Sequence, residues 1–108
     1  ELNEQTIGDT KVIVDIVNQG DLKKLVDDLK NGNDKIAILL LQQKGDKVML
    51  VAGSKNSSIK AGDWIKQIAP IVGGGGGGRA DFAQAGGKDP SKIQKAKTKA
   101  LEYLKTNL

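Results

Sequence analysis

Six consecutive glycines, Gly73–Gly78, followed by Arg79 and closed by the pair Gly86–Gly87, constrain this chain more than any other feature. Glycine gives a core nothing to bury and loses the most conformational freedom on folding. Such a run is a linker, an anion cradle or close-packed backbone. A linker needs a self-sufficient unit on each side, and residues 79–108 hold one good helical pattern whose apolar stripe requires a partner. The run therefore belongs inside one domain. An anion cradle uses backbone N–H groups at a helix N-terminus, whereas this run follows a helical pattern, at the end where carbonyls project and the dipole disfavours anions. It also lacks the Gly-Lys-Ser/Thr ending of a nucleotide loop, and no strand pattern immediately precedes it. The expectation is a tightly folded internal turn built from Gly73, Gly74, Gly75, Gly76, Gly77 and Gly78, with φ > 0 at repeated positions and close approach to a neighbouring backbone. Gly86 and Gly87 precede Lys88 and the last helix, where a structural cap by Asp89 is favoured over an anion site.

The rest of the chain alternates between strand and helix patterns. The polar opening residues are frayed or form a short edge strand, and the β-branched Lys11–Val17 reads as a strand. Asp21 is a good N-cap for a helix whose stripe is Leu22, Leu25, Val26 and Leu29, stopped at Asn31-Gly32. Lys35–Gln43 is apolar without alternation, as in a strand covered on both faces. Gly45-Asp46 suits a two-residue type II′ turn into the strand Lys47–Gly53, and Ser54–Ser58 is a loop. Lys60–Gly73 is helical, with Trp64 at its start and Pro70 tightening its last turn. Ala80–Gly86 is a short strand. Asp89 and Pro90 then open a final helix whose buried stripe is Ile93, Ala96, Ala100, Leu101 and Leu104. Together these predict a single compact α/β domain over residues 1–108, a mixed β-sheet with packed helices and one βαβ unit.

Composition removes several chemistries. With no cysteine there is no disulfide or thiolate metal site, and with no histidine the commonest general base and metal ligand are missing. No catalytic or metal-ligating residues are assigned. The carboxylates Asp27 and Asp28 read as solvated. No apolar run approaches the roughly 20 residues that span a bilayer, and no secretory pattern opens the sequence, so a soluble cytoplasmic domain is expected. Net charge is +4. Residues 1–78 balance, and the excess lies in 79–108, where Arg79 and six lysines face three carboxylates. Asymmetry of this kind suggests a side facing a polyanion, against the plainer reading of a solvated lysine-rich helix face. Lys92, Lys95 and Lys99 share a helix face, and Lys88 and Arg79 extend the strip. Arg79 is suited equally to a phosphate and to an ion pair with Asp81. Trp64 reads as a core-edge residue or a surface anchor, and Asp81 and Gln84 as hydrogen-bonding pins for the glycine run.

The stretch KAGDWIKQIAPIVGGGGGGRADFAQAGG, Lys60–Gly87, resembles the DHHA1 domain found at the C-terminus of alanyl-tRNA synthetases. Ala61-Gly62-Asp63, the glycine run, Arg79, Asp81 and Ala83-Gln84-Ala85-Gly86-Gly87 stand in that family's order, and Ala80 departs from it where proline is expected. The resemblance implies a fragment of a larger ATP-dependent alanine–tRNA ligase. In that reading it is a non-catalytic RNA-binding module that grips the outer corner of tRNA and helps link aminoacylation with editing. Its partners are tRNA, the upstream aminoacylation and editing domains, and a second copy in a homodimer. ATP, magnesium and zinc belong to the upstream domains, with no cofactor in this fragment. The alternatives are the substrate-binding DHHA1 domain of a DHH-type phosphoesterase, whose glycine stretch typically carries a histidine absent here, and a dimerisation module.

Overall fold

The computed structural model describes residues 2–108. Six strands, β1 (Glu4–Ile7), β2 (Thr10–Ile16), β3 (Ile36–Lys44), β4 (Lys47–Lys55), β5 (Gly75–Gly78) and β6 (Phe82–Gly87), form one mixed sheet in the order β1-β2-β3-β4-β6-β5. Helix α1 (Leu22–Asn31) lies over β3 and β4 on one face, and α2 (Ala61–Ile68) and α3 (Ile93–Asn107) cover the other. β2 and β3 are parallel and joined through α1, as the alternation predicts, and every other pairing is antiparallel.

The unbroken apolar run of β3 follows from its central place. Ile36, Ile38 and Leu40 face α1, while Ala37, Leu39 and Leu41 face α2 and α3, all fully buried. Asp21 caps α1 by accepting from the Lys24 N–H at 3.2 Å. Gly45 has φ 60° while Asp46 stays at negative φ, which is the type II′ geometry of a two-residue hairpin. β4 extends two residues past Gly53 because Ser54 and Lys55 continue the pairing to β3.

Trp64 is fully buried. Its Nε1–H donates to the Ala100 carbonyl at 3.3 Å and its ring stacks on Tyr103 with centroids 6.2 Å apart. It locks α2 to α3 and is not a surface anchor. α2 gives way to a 3₁₀ turn, Ala69–Val72, carrying Pro70, and Gly73 ends that turn in the left-handed region at φ 70°.

Beyond Gly73 the structure corrects the expectation of a tight turn. Gly75–Gly78 is an extended edge strand paired antiparallel with β6, Gly75 opposite Gly86 and Gly78 opposite Ala83. Within the run, positive φ is confined to Gly73 and to Gly78, which at 158° is close to full extension. The expected close approach is present. A Cβ on Gly74 would overlap the Gly86 carbonyl, and one on Gly76 would overlap Gln84 and Ala85, whereas at Gly75 nothing lies within 4 Å. The end of the run then supplies α2 with its cap. The N–H groups of Ala61 and Gly62 donate to the carbonyls of Ala80 (2.8 Å) and Arg79 (3.0 Å). Lys60 offers no side-chain cap, and a Cβ on Gly62 would lie 2.7 Å from the Gly78 carbonyl oxygen. Of the two expected pins, the Gln84 side chain is exposed and makes no hydrogen bond among the described residues, while the Asp81 side chain accepts from Arg79 Nε at the end of the run.

α3 is preceded by a 3₁₀ turn, Pro90–Lys92, with Asp89 accepting from the Ser91 N–H at 3.1 Å. Ile93, Ala96, Ala100 and Leu104 are its buried stripe, with Leu101 half-buried at the margin. Lys97 ties the helix to β2 through Asp15 at 3.5 Å. Burial pushes the Asp15 carboxyl up, but hydrogen bonds from the Ile16 and Asn3 N–H groups and the charge of Lys97 outweigh it, and the net displacement is downward. Among the described residues no helix is long and apolar enough to cross a membrane.

Two outcomes follow. Gly74→Ala and Gly76→Ala should each destabilise the domain by about 2 kcal/mol or more, because the added carbon meets backbone that cannot yield. Gly75→Ala should be neutral or stabilising by about 0.5 kcal/mol; urea unfolding of the three variants checks the alternation. Because the folded-state pKa of Asp15 is depressed, its contribution is present above the ordinary carboxylate value of 3.8 and lost as pH falls through the folded value. Asp15→Asn should therefore cost about 1 kcal/mol at neutral pH, with the gap to the parent closing in acid when the same unfolding curves are recorded there.

Candidate nucleic-acid interface

The path of each element sorts the cations into two ends of the sheet. β6 begins after Asp81 and finishes at Gly87, so Arg79 and Lys88 lie at opposite ends of a strand about 20 Å long. α2 starts beside Arg79 and its 3₁₀ extension ends beside Lys88, where the Val72 carbonyl accepts from the N–H groups of Lys88 (2.8 Å) and Asp89 (2.9 Å). α3 starts from that same end and runs back across the sheet until the Asn107 carbonyl accepts from the Ser58 hydroxyl.

The structure brings together Lys88, Lys92 and Lys95. All three are exposed, and none forms an ion pair among the described residues. Lys92 sits in the 3₁₀ turn and not on the regular helix, so the shared helix face read from spacing begins at Lys95. Lys99 lies one turn further along α3, paired with Glu102 at 3.1 Å. Both side chains are about half exposed, and an ion pair so placed is weak and screened.

Arg79 stands apart from this group. Its Nε donates to Asp81 at 3.0 Å, and Lys30 approaches the same carboxylate at 3.6 Å from α1 while standing over the Phe82 ring. The hydrogen bond from Arg79 is the largest effect and holds the Asp81 carboxyl below its ordinary value; burial opposes it, and the Lys30 charge adds a smaller lowering. Asp81 thus serves as a counter-ion joining two elements, and its carbonyl accepts from the Ser54 N–H.

Spacing along the chain did not reveal Lys44 and Lys47. They flank the β3–β4 turn and are directly opposed in register, Lys44 to Lys47. In the next ladder Val48 pairs with Gly87, so the hairpin tip lies alongside Lys88. Lys23, in the first turn of α1, shares a surface depression with Lys44. None of these three forms an ion pair among the described residues. The signal in the sequence was the Lys-Gly-Asp-Lys turn itself; what it lacked was the adjacency of β4 to β6. The result is an end of the sheet carrying Lys23, Lys44, Lys47, Lys88, Lys92 and Lys95, at which α1 and α3 also begin with Asp21 and Asp89 bonded to their first turns. Such a surface suits multiple phosphates.

Comparisons agree with this architecture. The DHHA1 domain family model matches residues 9–106. An alanine–tRNA ligase of Aliarcobacter butzleri (strain RM4018) is 74% identical over 107 residues, covering 99% of this chain and 13% of the relative. One from Sulfurovum sp. (strain NBC37-1) is 61% identical, covering 96% of this chain and 12% of the relative. The chain thus spans about one eighth of the length of these relatives. The crystal structure of the C-Ala domain from Aquifex aeolicus alanyl-tRNA synthetase superposes with a TM-score of 0.80 at 31% identity, covering 98% of this chain and 97% of that one. The chain belongs to the DHHA1 domain family, in the form similar to the C-Ala domain of alanyl-tRNA synthetases.

Proposed function

We propose that this chain is the non-catalytic C-terminal appendage of an alanine–tRNA ligase. It holds folded tRNA by the phosphate backbone at the outer corner of the L, so that one tRNA serves aminoacylation and editing centres carried elsewhere in a cytoplasmic protein. Its partners are tRNA and those upstream domains, to which ATP, magnesium and zinc belong. The relatives, alanine–tRNA ligases, supply the ligase and the tRNA and favour this reading over a phosphoesterase. One observation supports the contact with RNA, the convergence of Lys88, Lys92 and Lys95, unpaired among the described residues, with the hairpin-tip Lys44 and Lys47 at one end of the sheet. Lysines on rigid turns and strand ends read the spacing of phosphates and not the identity of bases. The scarcity of aromatics, limited to Trp64, Phe82 and Tyr103, fits recognition of a folded RNA by its backbone better than an aromatic stacking platform for single strands. Lys99 adds a contact once Glu102 is displaced, and Arg79 lies outside the patch.

Binding of labelled alanine-accepting tRNA at several salt concentrations tests this. Changing Lys88, Lys92 and Lys95 together to Glu should weaken binding at least about tenfold and flatten the salt dependence. Arg79→Glu should change affinity by less than about twofold, as expected for a charge beyond the screening distance of the patch. An affinity indifferent to salt, or to the triple substitution, refutes the proposal, as does a footprint on the acceptor end in place of the corner.

A further inference from the structure

We infer that the cavity between the β3–β4 hairpin tip and the Ala85–Gly86 segment of β6 takes one unstacked nucleobase of the bound RNA, its ring against Met49 and its flanking phosphates against Lys44 and Lys47. The inference rests on the RNA-binding reading above and adds a non-ionic subsite to it.

The cavity measures about 460 Å³ and is lined by Val48, Met49, Ala85 and Gly86 together with the polar side chains Gln84, Lys44 and Lys47. That volume lies in the range of ligand pockets. Three observations point to a flat anionic occupant. First, glycine at position 86 answers no need of the fold. Its φ lies outside the left-handed region, and an added Cβ would meet nothing nearer than the Val48 carbonyl oxygen at 3.9 Å. Its cross-strand partner Gly75 likewise faces open space. At Gly74 and Gly76, by contrast, neighbouring backbone forbids a side chain. Bare backbone at 75 and 86 therefore leaves a floor that a planar group can approach.

Second, Met49 lies opposite Gly86 in register, is half-buried and is the chain's one methionine. A thioether makes favourable contacts with aromatic rings and adapts its shape to them. Third, Lys44 and Lys47 are directly opposed across the hairpin. Like charges so placed oppose strand pairing, and among the described residues neither forms an ion pair, even with Asp46 in the turn between them. Two unrelieved cations beside an apolar floor complement a base carried between phosphates.

The experiment titrates isotope-labelled protein with adenosine 5′-monophosphate and, separately, with ribose 5-phosphate, following amide chemical shifts. The nucleotide should move the amides of Val48, Met49, Ala85 and Gly86, and ribose 5-phosphate, lacking the base, should leave Met49 and Gly86 in place. Gly86→Leu, which fills the cavity without backbone conflict, should keep the parental melting temperature and bind tRNA about fivefold more weakly with an unchanged salt slope, the loss being one non-ionic base contact. Lys44→Glu with Lys47→Glu should instead reduce the slope. Equal shifts from both small molecules, shifts confined elsewhere, displacement of the nucleotide by polyglutamate with the same amides responding, or tRNA binding by Gly86→Leu at the parental affinity each overturns the inference. If Gly86→Leu fails to fold, the two titrations of the parent decide. A chain that binds no tRNA refutes the proposed function; one that binds tRNA while these amides stay still refutes only the nucleobase subsite.

Discussion

Where β5 meets β6 and the first turn of α2, main chain touches main chain with nothing between. The Gly74 and Gly76 positions sit so close to Gln84, Ala85 and Gly86 that any side chain would collide. The strand's far end carries the carbonyls of Arg79 and Ala80 to the amides of Gly62 and Ala61. Those two amides belong to the group that every helix leaves unbonded at its start, and here the two residues that follow the polyglycine strand satisfy them in place of a side-chain cap. α2 is thereby fixed over β4 and β6, and through Trp64 it positions α3. The placement of the terminal lysines thus descends from a contact made of backbone alone.

The same chain path decides which charges act together. α1 and α3 both begin at the end of the sheet where β3 turns into β4 and β6 finishes, while α2 begins at the other. Asp21 and Asp89 occupy their own helix starts, so an incoming anion meets lysine side chains more readily than free amides. At the opposite end Arg79 and Lys30 share Asp81, and Lys35 is paired with Asp9 at 3.0 Å. Those cations are answered within the protein, whereas Lys55, Lys60 and Lys105, also at that end, form no ion pair among the described residues.

Much of the fold was legible because its signals are local. The apolar run of β3, the Asp21 cap, the Gly45-Asp46 turn and the Asp89-Pro90 helix start each declare themselves within a few residues. The polyglycine run reads as a turn in the sequence because strand propensity reports side chains suited to a pleated surface, and a strand without any emits no such signal. The candidate site was half legible. Lys88, Lys92 and Lys95 stood out by charge, but Lys44 and Lys47 join them only through the pairing of β4 with β6, a contact between segments more than thirty residues apart. Arg79 groups with them in the sequence because the nine positions to Lys88 give no sign that an extended strand, β6, separates the two.

An edge strand of four glycines has a consequence for self-association. Most exposed edges deter pairing with charges, proline or bulges, and pairing is ordinarily held in alignment by which side chains must face inward. β5 carries no side chains of its own to deter or align a partner, and the Lys66 side chain of α2 lies beside it near Gly77. A visiting strand would find donors and acceptors but no preferred offset, with each shift along the edge nearly equal in energy. Such an edge is permissive yet register-blind, and any assembly built through it would be a mixture of alignments.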